Sequence, residues 1–121
     1  MLSLGPATKV YLAAGVTDLR AGFERLSVLV QAVLEQNALS GHLFVFCNAT
    51  RTRIKILYWD GTGLWLLTKR LERGRYAWPA AAAEAAASAP RRLTLPHREL
   101  LLLLSGIDLS KTQRRDWWRR E

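Results

Sequence analysis

Two apolar runs, residues 53–59 and 64–71, flank the tetrapeptide Asp60-Gly61-Thr62-Gly63, and no other feature restricts the fold as much. Gly61 can take the positive φ that a tight two-residue connection demands, so the runs are expected to pair antiparallel as a hairpin. Whether the turn residues are Gly61-Thr62 or Asp60-Gly61, the numbers of paired residues sum to an odd value. Odd positions of the first strand therefore share a face with even positions of the second. One face carries Arg53, Lys55, Leu57 and Trp59 with Leu64, Leu66, Thr68 and Arg70. The other carries Ile54, Ile56 and Tyr58 with Trp65, Leu67 and Lys69; it is the more apolar set and the expected core side.

The preceding segments supply partners for this hairpin. Residues 9–14 read as a short apolar strand closed by Gly15. Thr17 or Asp18 is an N-cap candidate for a helix reaching about Gln36, because Leu19, Phe23, Leu26, Val30, Val33 and Leu34 recur at three- and four-residue spacing. Gly22 weakens that helix and suggests a close approach to the sheet. Residues 42–47 form a continuously apolar run, as a central strand would, and Asn48-Ala49-Thr50 turns the chain into the hairpin. Tyr76-Ala77-Trp78 is expected to add a last strand before Pro79. The fold class is α+β: an antiparallel meander of three to four strands, an amphipathic helix on one face, and a second C-terminal helix.

Four segments result. Residues 1–79 form the α+β core with the basic hairpin. Residues 80–90, nearly all alanine, offer no apolar face to dock and read as a linker. In residues 91–108, Thr94 and Pro96 open a helix whose five consecutive leucines, 100–104, need burial on more than one side. That helix packs on the core or on a partner. Residues 109–121 are a basic and aromatic tail.

At 121 residues the chain can bury one core. It has no apolar stretch long enough for a membrane span and no charged region before its first apolar residues, so the expected address is the cytoplasm. The formal charge of +8 is unevenly placed. Residues 1–50 balance to zero, residues 51–75 set seven basic residues against Asp60 and Glu72, and residues 109–121 set five against Asp116 and Glu121. Such segregation points to a polyanion, since clustered lysines and arginines displace the counterions condensed on phosphates.

Catalytic chemistry is not expected. His42 and His97 have no companions at metal-ligand spacing, and Cys47, the single cysteine, reads as a buried structural thiol. Asp60, Glu72 and Asp108 are the conceivable carboxylate trio for two-metal phosphodiester chemistry. Ordinary roles suit them better: a turn residue, a neighbour to arginines, and a residue following a helix stop. No metal and no cofactor are called for.

The motifs Thr17-Asp18-Leu19-Arg20 with Gly22-Phe23, Gly41-His42-Leu43-Phe44-Val45-Phe46, Trp59-Asp60-Gly61 with Gly63-Leu64, and Lys69-Arg70-Leu71-Glu72 with Gly74-Arg75 resemble, in order, the TnpB accessory proteins of bacterial insertion sequences of family 66. These are distinct from the much longer RNA-guided nucleases that share the name. The alanine stretch is longer than is usual in that family, and Thr94-Leu95-Pro96-His97 departs from its cap-then-proline pattern. The resemblance implies an accessory role in transposition beside a separate transposase and a third small DNA-binding protein of the element. Joined to the charge pattern, it gives a non-catalytic DNA-binding factor. Arg51, Arg53, Lys55, Lys69, Arg70, Arg73, Arg75, Arg114 and Arg115 are the expected phosphate contacts, and Trp59 or the Trp117-Trp118 pair the expected stacking surfaces. The alternatives are a module that binds the transposase or a second copy of itself through the leucine helix, and an RNA-binding regulator of the element.

Overall fold

A computed structural model describes Gly5, residues 7–79 and residues 92–106. The alanine linker and the tail, with Arg114, Arg115, Trp117 and Trp118, lie outside the described residues. The elements run β1 (Val10–Ala13), α1 (Phe23–Ala32), β2 (Leu43–Cys47), β3 (Arg53–Trp59), β4 (Leu64–Arg70), β5 (Arg92–Leu95) and α2 (His97–Leu104). The five strands form one sheet in the order β4-β3-β2-β1-β5.

This is an α+β fold, but the sheet is mixed rather than a plain meander. β2, β3 and β4 do run antiparallel in succession, whereas β1 lies parallel to β2. The reason is the connection: α1 separates β1 from β2, and a crossover of that length returns the chain in the same direction. The fifth strand, β5, pairs antiparallel with β1, with Leu93 opposite Leu12 and Leu95 opposite Val10. It occupies the stretch where a helix was expected to begin at Thr94. Leu95 precedes a proline, whose ring disfavours helical backbone at the residue before it, so Arg92–Leu95 is extended and α2 starts only at His97.

Both faces of the sheet are buried, each under its own helix. On one side Leu26, Val30 and Leu34 cover Tyr11, Ala13, Phe44, Phe46 and Leu57. On the other, Leu100 and Leu103 of α2, with Tyr76 and Trp78, cover Val10, Leu12, Val45, Ile54 and Ile56. The expectation of one core side for the hairpin is therefore corrected: its more apolar face packs beneath α2, and Leu57 on the opposite face is wholly buried on the α1 side. Residues 76–78 are not a strand. Trp78 donates its indole N–H to the carbonyls of Ala13 and Gly15, at 3.2 and 3.0 Å, and so pins an irregular segment across the end of β1.

α1 is shorter than its periodicity suggested. Asp18 does not cap it; the carboxylate accepts the Arg20 backbone N–H at 3.0 Å and pairs with the Arg20 guanidinium at 2.7 Å, which stabilises a separate turn. The helix opens at Gly22 with no side-chain cap. Nothing lies within 4 Å of a Cβ built on Gly22, so this glycine marks no close approach, and Phe23 next to it points outward, 47% exposed. At the far end Glu35 takes a left-handed φ of 56°, and the chain leaves the helix.

This packing gives two leucines of α2 very different weights. Leu103→Ala removes a side chain sealed against the sheet and lowers unfolding free energy by roughly 2–5 kcal/mol. Leu101→Ala, on the 68% exposed side, changes it by less than ~0.5 kcal/mol. Chemical denaturation of the two variants side by side checks this, and equal losses contradict the assigned helix face. Burial also pushes the Cys47 thiol up to about 12. The unfolded thiol ionises near pH ~8.5 while the folded one does not, so its contribution to stability is complete below that pH and is lost as pH rises. Cys47→Ala should flatten the alkaline decline in stability; an unchanged slope between pH ~8.5 and ~10 would show that the thiol ionises equally in both states.

Candidate nucleic-acid interface

The hairpin is held in register by its turn. Asp60 Oδ1 accepts the backbone N–H groups of Thr62 and Gly63, at 2.8 and 2.9 Å, and the Thr62 hydroxyl. Its Oδ2 accepts the Trp65 indole N–H at 2.7 Å. These bonds, the Thr62 amide foremost, hold the Asp60 carboxyl far below the usual carboxylate range. Asp60 is thus committed to the turn, with Gly61 at φ 102° supplying the left-handed step. Arg53 pairs with Arg70 and Trp59 with Leu64, the odd sum that alternation required.

The phase of this ladder decides how close the cations come. Asp60 N–H donates to Gly63 O at 3.1 Å, and at the other end Leu71 N–H donates to Thr52 O at 2.9 Å. Counting in twos from either bond places Arg53 and Arg70 in a non-hydrogen-bonded pair, where the Cα atoms approach to ~4.5 Å and the side chains lie closest. Both arginines are exposed and both project on the α1 side. Like charges directly opposite repel. Arg70 has a weak ion pair with Glu72 at 3.5 Å, with both side chains more than half exposed, and Arg53 has no ion pair among the described residues.

The loops at this open end add three more guanidiniums. Asn48 organises the first loop: its side-chain oxygen accepts the N–H groups of Thr52 and Arg53, at 3.0 and 3.1 Å. Arg51 is thereby held at φ 60°, a left-handed conformation that costs a non-glycine residue about 1–2 kcal/mol. Its carbonyl accepts the Tyr76 N–H at 2.7 Å, which draws the second loop, with exposed Arg73 and Arg75 around Gly74 at φ 75°, against the first. Arg51, Arg53, Arg70, Arg73 and Arg75 therefore gather at one end of the hairpin.

The remaining expected contacts separate from that group. Lys55 reaches the Ala21 carbonyl at 3.2 Å and Lys69 the Leu104 carbonyl at 2.7 Å, so each lysine ties the hairpin to a helix terminus on its own side of the sheet. Trp59 is half-buried at the turn end, six residues or ~20 Å along the strand from Arg53, and so stands apart from the arginine group. Asn48 and Gly74 were missed as organisers of the site. An asparagine opening a short loop ahead of a strand was the available signal. Elsewhere, His42 Nδ1 accepts the Lys9 N–H and His97 bonds the Thr8 carbonyl. Among the described residues no three His, Cys, Asp or Glu side chains converge, and no helix is long and apolar enough to cross a membrane.

Residues 8–114 match the family model described as IS66 Orf2 like protein. The chain belongs to this family. Family membership carries a transposition-associated accessory role. Two proteins of Sinorhizobium fredii (strain NBRC 101917 / NGR234), both described as uncharacterized, are similar over nearly their full lengths. One, y4hO, is 43% identical over 119 residues, covering 98% of this chain and 96% of its own. The other, y4jC, is 31% identical over 114 residues, covering 93% and 92%. No solved structure matches significantly.

The opposed arginines make a prediction of their own. Arg53→Thr should stabilise the fold by several tenths to ~1 kcal/mol at low ionic strength by relieving cross-strand repulsion. The part of the gain that is electrostatic should vanish in ~1 M salt, where the Debye length shrinks to ~3 Å. Urea unfolding at the two ionic strengths reads it; a difference independent of salt contradicts the charge account.

Proposed function

We propose that this IS66 Orf2-like protein is a non-catalytic transposition accessory factor that binds duplex DNA through the open end of the β3–β4 hairpin. The observation that carries this reading is the directly opposed, exposed pair Arg53 and Arg70, joined by Arg51, Arg73 and Arg75 with Glu72 as the nearest acidic neighbour in sequence. A chain gains nothing in stability from such a cluster. An anion between the strands converts the repulsion into charge-assisted hydrogen bonds, and arginine forks suit phosphate oxygens. Arginines in loops and at strand ends can follow a backbone without reading bases, so they position a duplex rather than select a sequence.

The leucine helix supports a contact with the transposase less well. Leu100 and Leu103 are buried against the chain's own sheet, and Leu101 is the one leucine of α2 that is mostly exposed. A single exposed leucine is ordinary for a soluble surface. The accessory step is thus assigned to the nucleic acid, with the transposase acting on the DNA so held.

Fluorescence anisotropy tests it with three ligands across a salt series: a duplex from an element end, a scrambled duplex of equal length, and a single strand. About five phosphate contacts give a log-log salt slope of roughly −4.5, and each arginine replaced by glutamine reduces its magnitude by ~0.9. Preference for the element end would add base or shape readout to this grip. Stronger binding to single strands would favour the RNA or unpaired-strand reading, and no binding at low salt rejects direct nucleic-acid contact.

A further inference from the structure

The outer strand of the hairpin is open along one side. Among the described residues β4 is an edge of the sheet, with β3 as its single neighbour. The bonds from Asp60 N–H to Gly63 O and from Leu71 N–H to Thr52 O fix the phase of the ladder, so the odd-numbered residues of β4 bond to β3. The N–H and C=O groups of Leu64, Leu66, Thr68 and Arg70 therefore point outward along an unbroken strand of seven residues. Its side chains are also incompletely covered. Leu64 and Leu66 are half-buried on the α1 side; on the α2 side Leu67 is half-buried and Trp65 is 43% exposed, its indole fixed by the bond to Asp60. The first half of β4 is thus apolar on both faces, like β1 and β2, but neither helix seals it.

The opposite edge is guarded. β5 is four residues long, Pro96 follows it directly, and the Arg92 guanidinium is tied to the Leu34 carbonyl at 3.0 Å. Short edge strands and prolines are common defences against strand addition. β4 has neither proline nor bulge, and its charged residues, Lys69 and Arg70, both sit at one end. That placement selects a geometry. A second copy laid parallel and in register sets each cation against its own like, which is unfavourable. Laid antiparallel about a two-fold axis at Leu67, it sets Arg70 opposite Leu64, Lys69 opposite Trp65 and Thr68 opposite Leu66. In that register every outward N–H and C=O from residue 64 to residue 70 meets a partner, and no cation meets a cation across the seam.

We propose that β4 is a self-association edge: two copies of this chain pair their β4 strands antiparallel in this register and join two five-stranded sheets into one. The inference stands on the sheet edge and does not depend on the nucleic-acid reading. It satisfies the outward backbone groups and covers the half-exposed leucines and Trp65 with the same residues of the second copy. It also brings together groups that one chain keeps apart. Arg70 of the second copy comes opposite Leu64, which faces Trp59 across the β3–β4 ladder. That arginine therefore stands two strands, ~10 Å, from Trp59 on the α1 side, whereas Arg53 of the same chain lies ~20 Å away along the strand.

Sedimentation equilibrium of the full chain, freed of nucleic acid, should show concentration-dependent association to twice its 13.7 kDa mass. Thr68→Pro removes an outward N–H and an exposed side chain while sparing the ladder to β3, and should weaken self-association ~10-fold or more with the fold retained. Register is read separately by oxidative cross-linking. Leu67 sits on the axis in a non-hydrogen-bonded pair, with Cα atoms ~4.5 Å apart and within disulfide reach, so Leu67→Cys should cross-link two chains. Leu66→Cys is the control, because it meets its own copy only on a diagonal of ~7–8 Å and should cross-link far less. A parent that stays monomeric at every concentration overturns the proposal, whatever other strand the edge accepts. A dimer that Thr68→Pro leaves intact and Leu67→Cys does not trap forms through another surface, and that result also overturns it.

Discussion

β1 and β2 are apolar on both faces, and strands of that kind cannot leave either side in water. Every residue of Val10–Ala13 and of Leu43–Cys47 is buried. At about 1.5–3 kcal/mol for each large side chain removed from water, covering both faces outweighs any local preference in the connecting segments. The crossover through α1 covers one face. α2, with Tyr76 and Trp78, covers the other. Two lysines of the hairpin then tie β3 and β4 to these covers, Lys55 to the chain just before α1 and Lys69 to the last turn of α2. Each ammonium satisfies a carbonyl near a helix end, and at the C-terminus of α2 the positive charge also suits the helix dipole.

The hairpin was the most legible part of the chain, because a glycine turn and alternation fix register parity without any tertiary information. That Arg53 and Arg70 share a face follows from residue numbers alone; that they stand directly opposite depends on Gly61-Thr62 being the turn residues. The parallel pairing of β1 with β2 was harder to see, since a short apolar strand carries no mark of its direction, and only the helical connection determines it. β5 was hidden by its brevity and by Pro96, which reads as a helix opener; the constraint that the proline places on Leu95 was the overlooked clue. Phe23 and Gly22 mislead in the opposite sense. Periodicity counts Phe23 among the core residues, but the helix begins there and its first side chain faces outward.

The candidate site was legible as a charge excess and not as a shape. Seven cations in residues 51–75 are visible in the sequence, but which of them meet depends on loops whose geometry rests on Asn48, on the left-handed Arg51 and on the Tyr76–Arg51 backbone bond. Those loops sort the cations into two kinds. Lys55 and Lys69 hold the fold together, and the five arginines project from it. Trp59, grouped with the cations by sequence proximity, stands at the other end of the strand. Backbone strain at Arg51 and repulsion between Arg53 and Arg70 both lie at this one edge, which is where a binding surface would concentrate them. Membership of the IS66 Orf2-like family carries a transposition-associated accessory role, and duplex DNA is the polyanion we propose for this edge.

The most direct test of that account is the pattern of backbone-amide NMR shifts when a short duplex is added to the intact protein. Shifts concentrated at residues 51–53 and 70–75, with the turn at 60–65 and the outer face of α2 undisturbed, are the predicted result. Shifts centred on Leu101 or on the Asp60 turn, with the arginine loops unmoved, would contradict it.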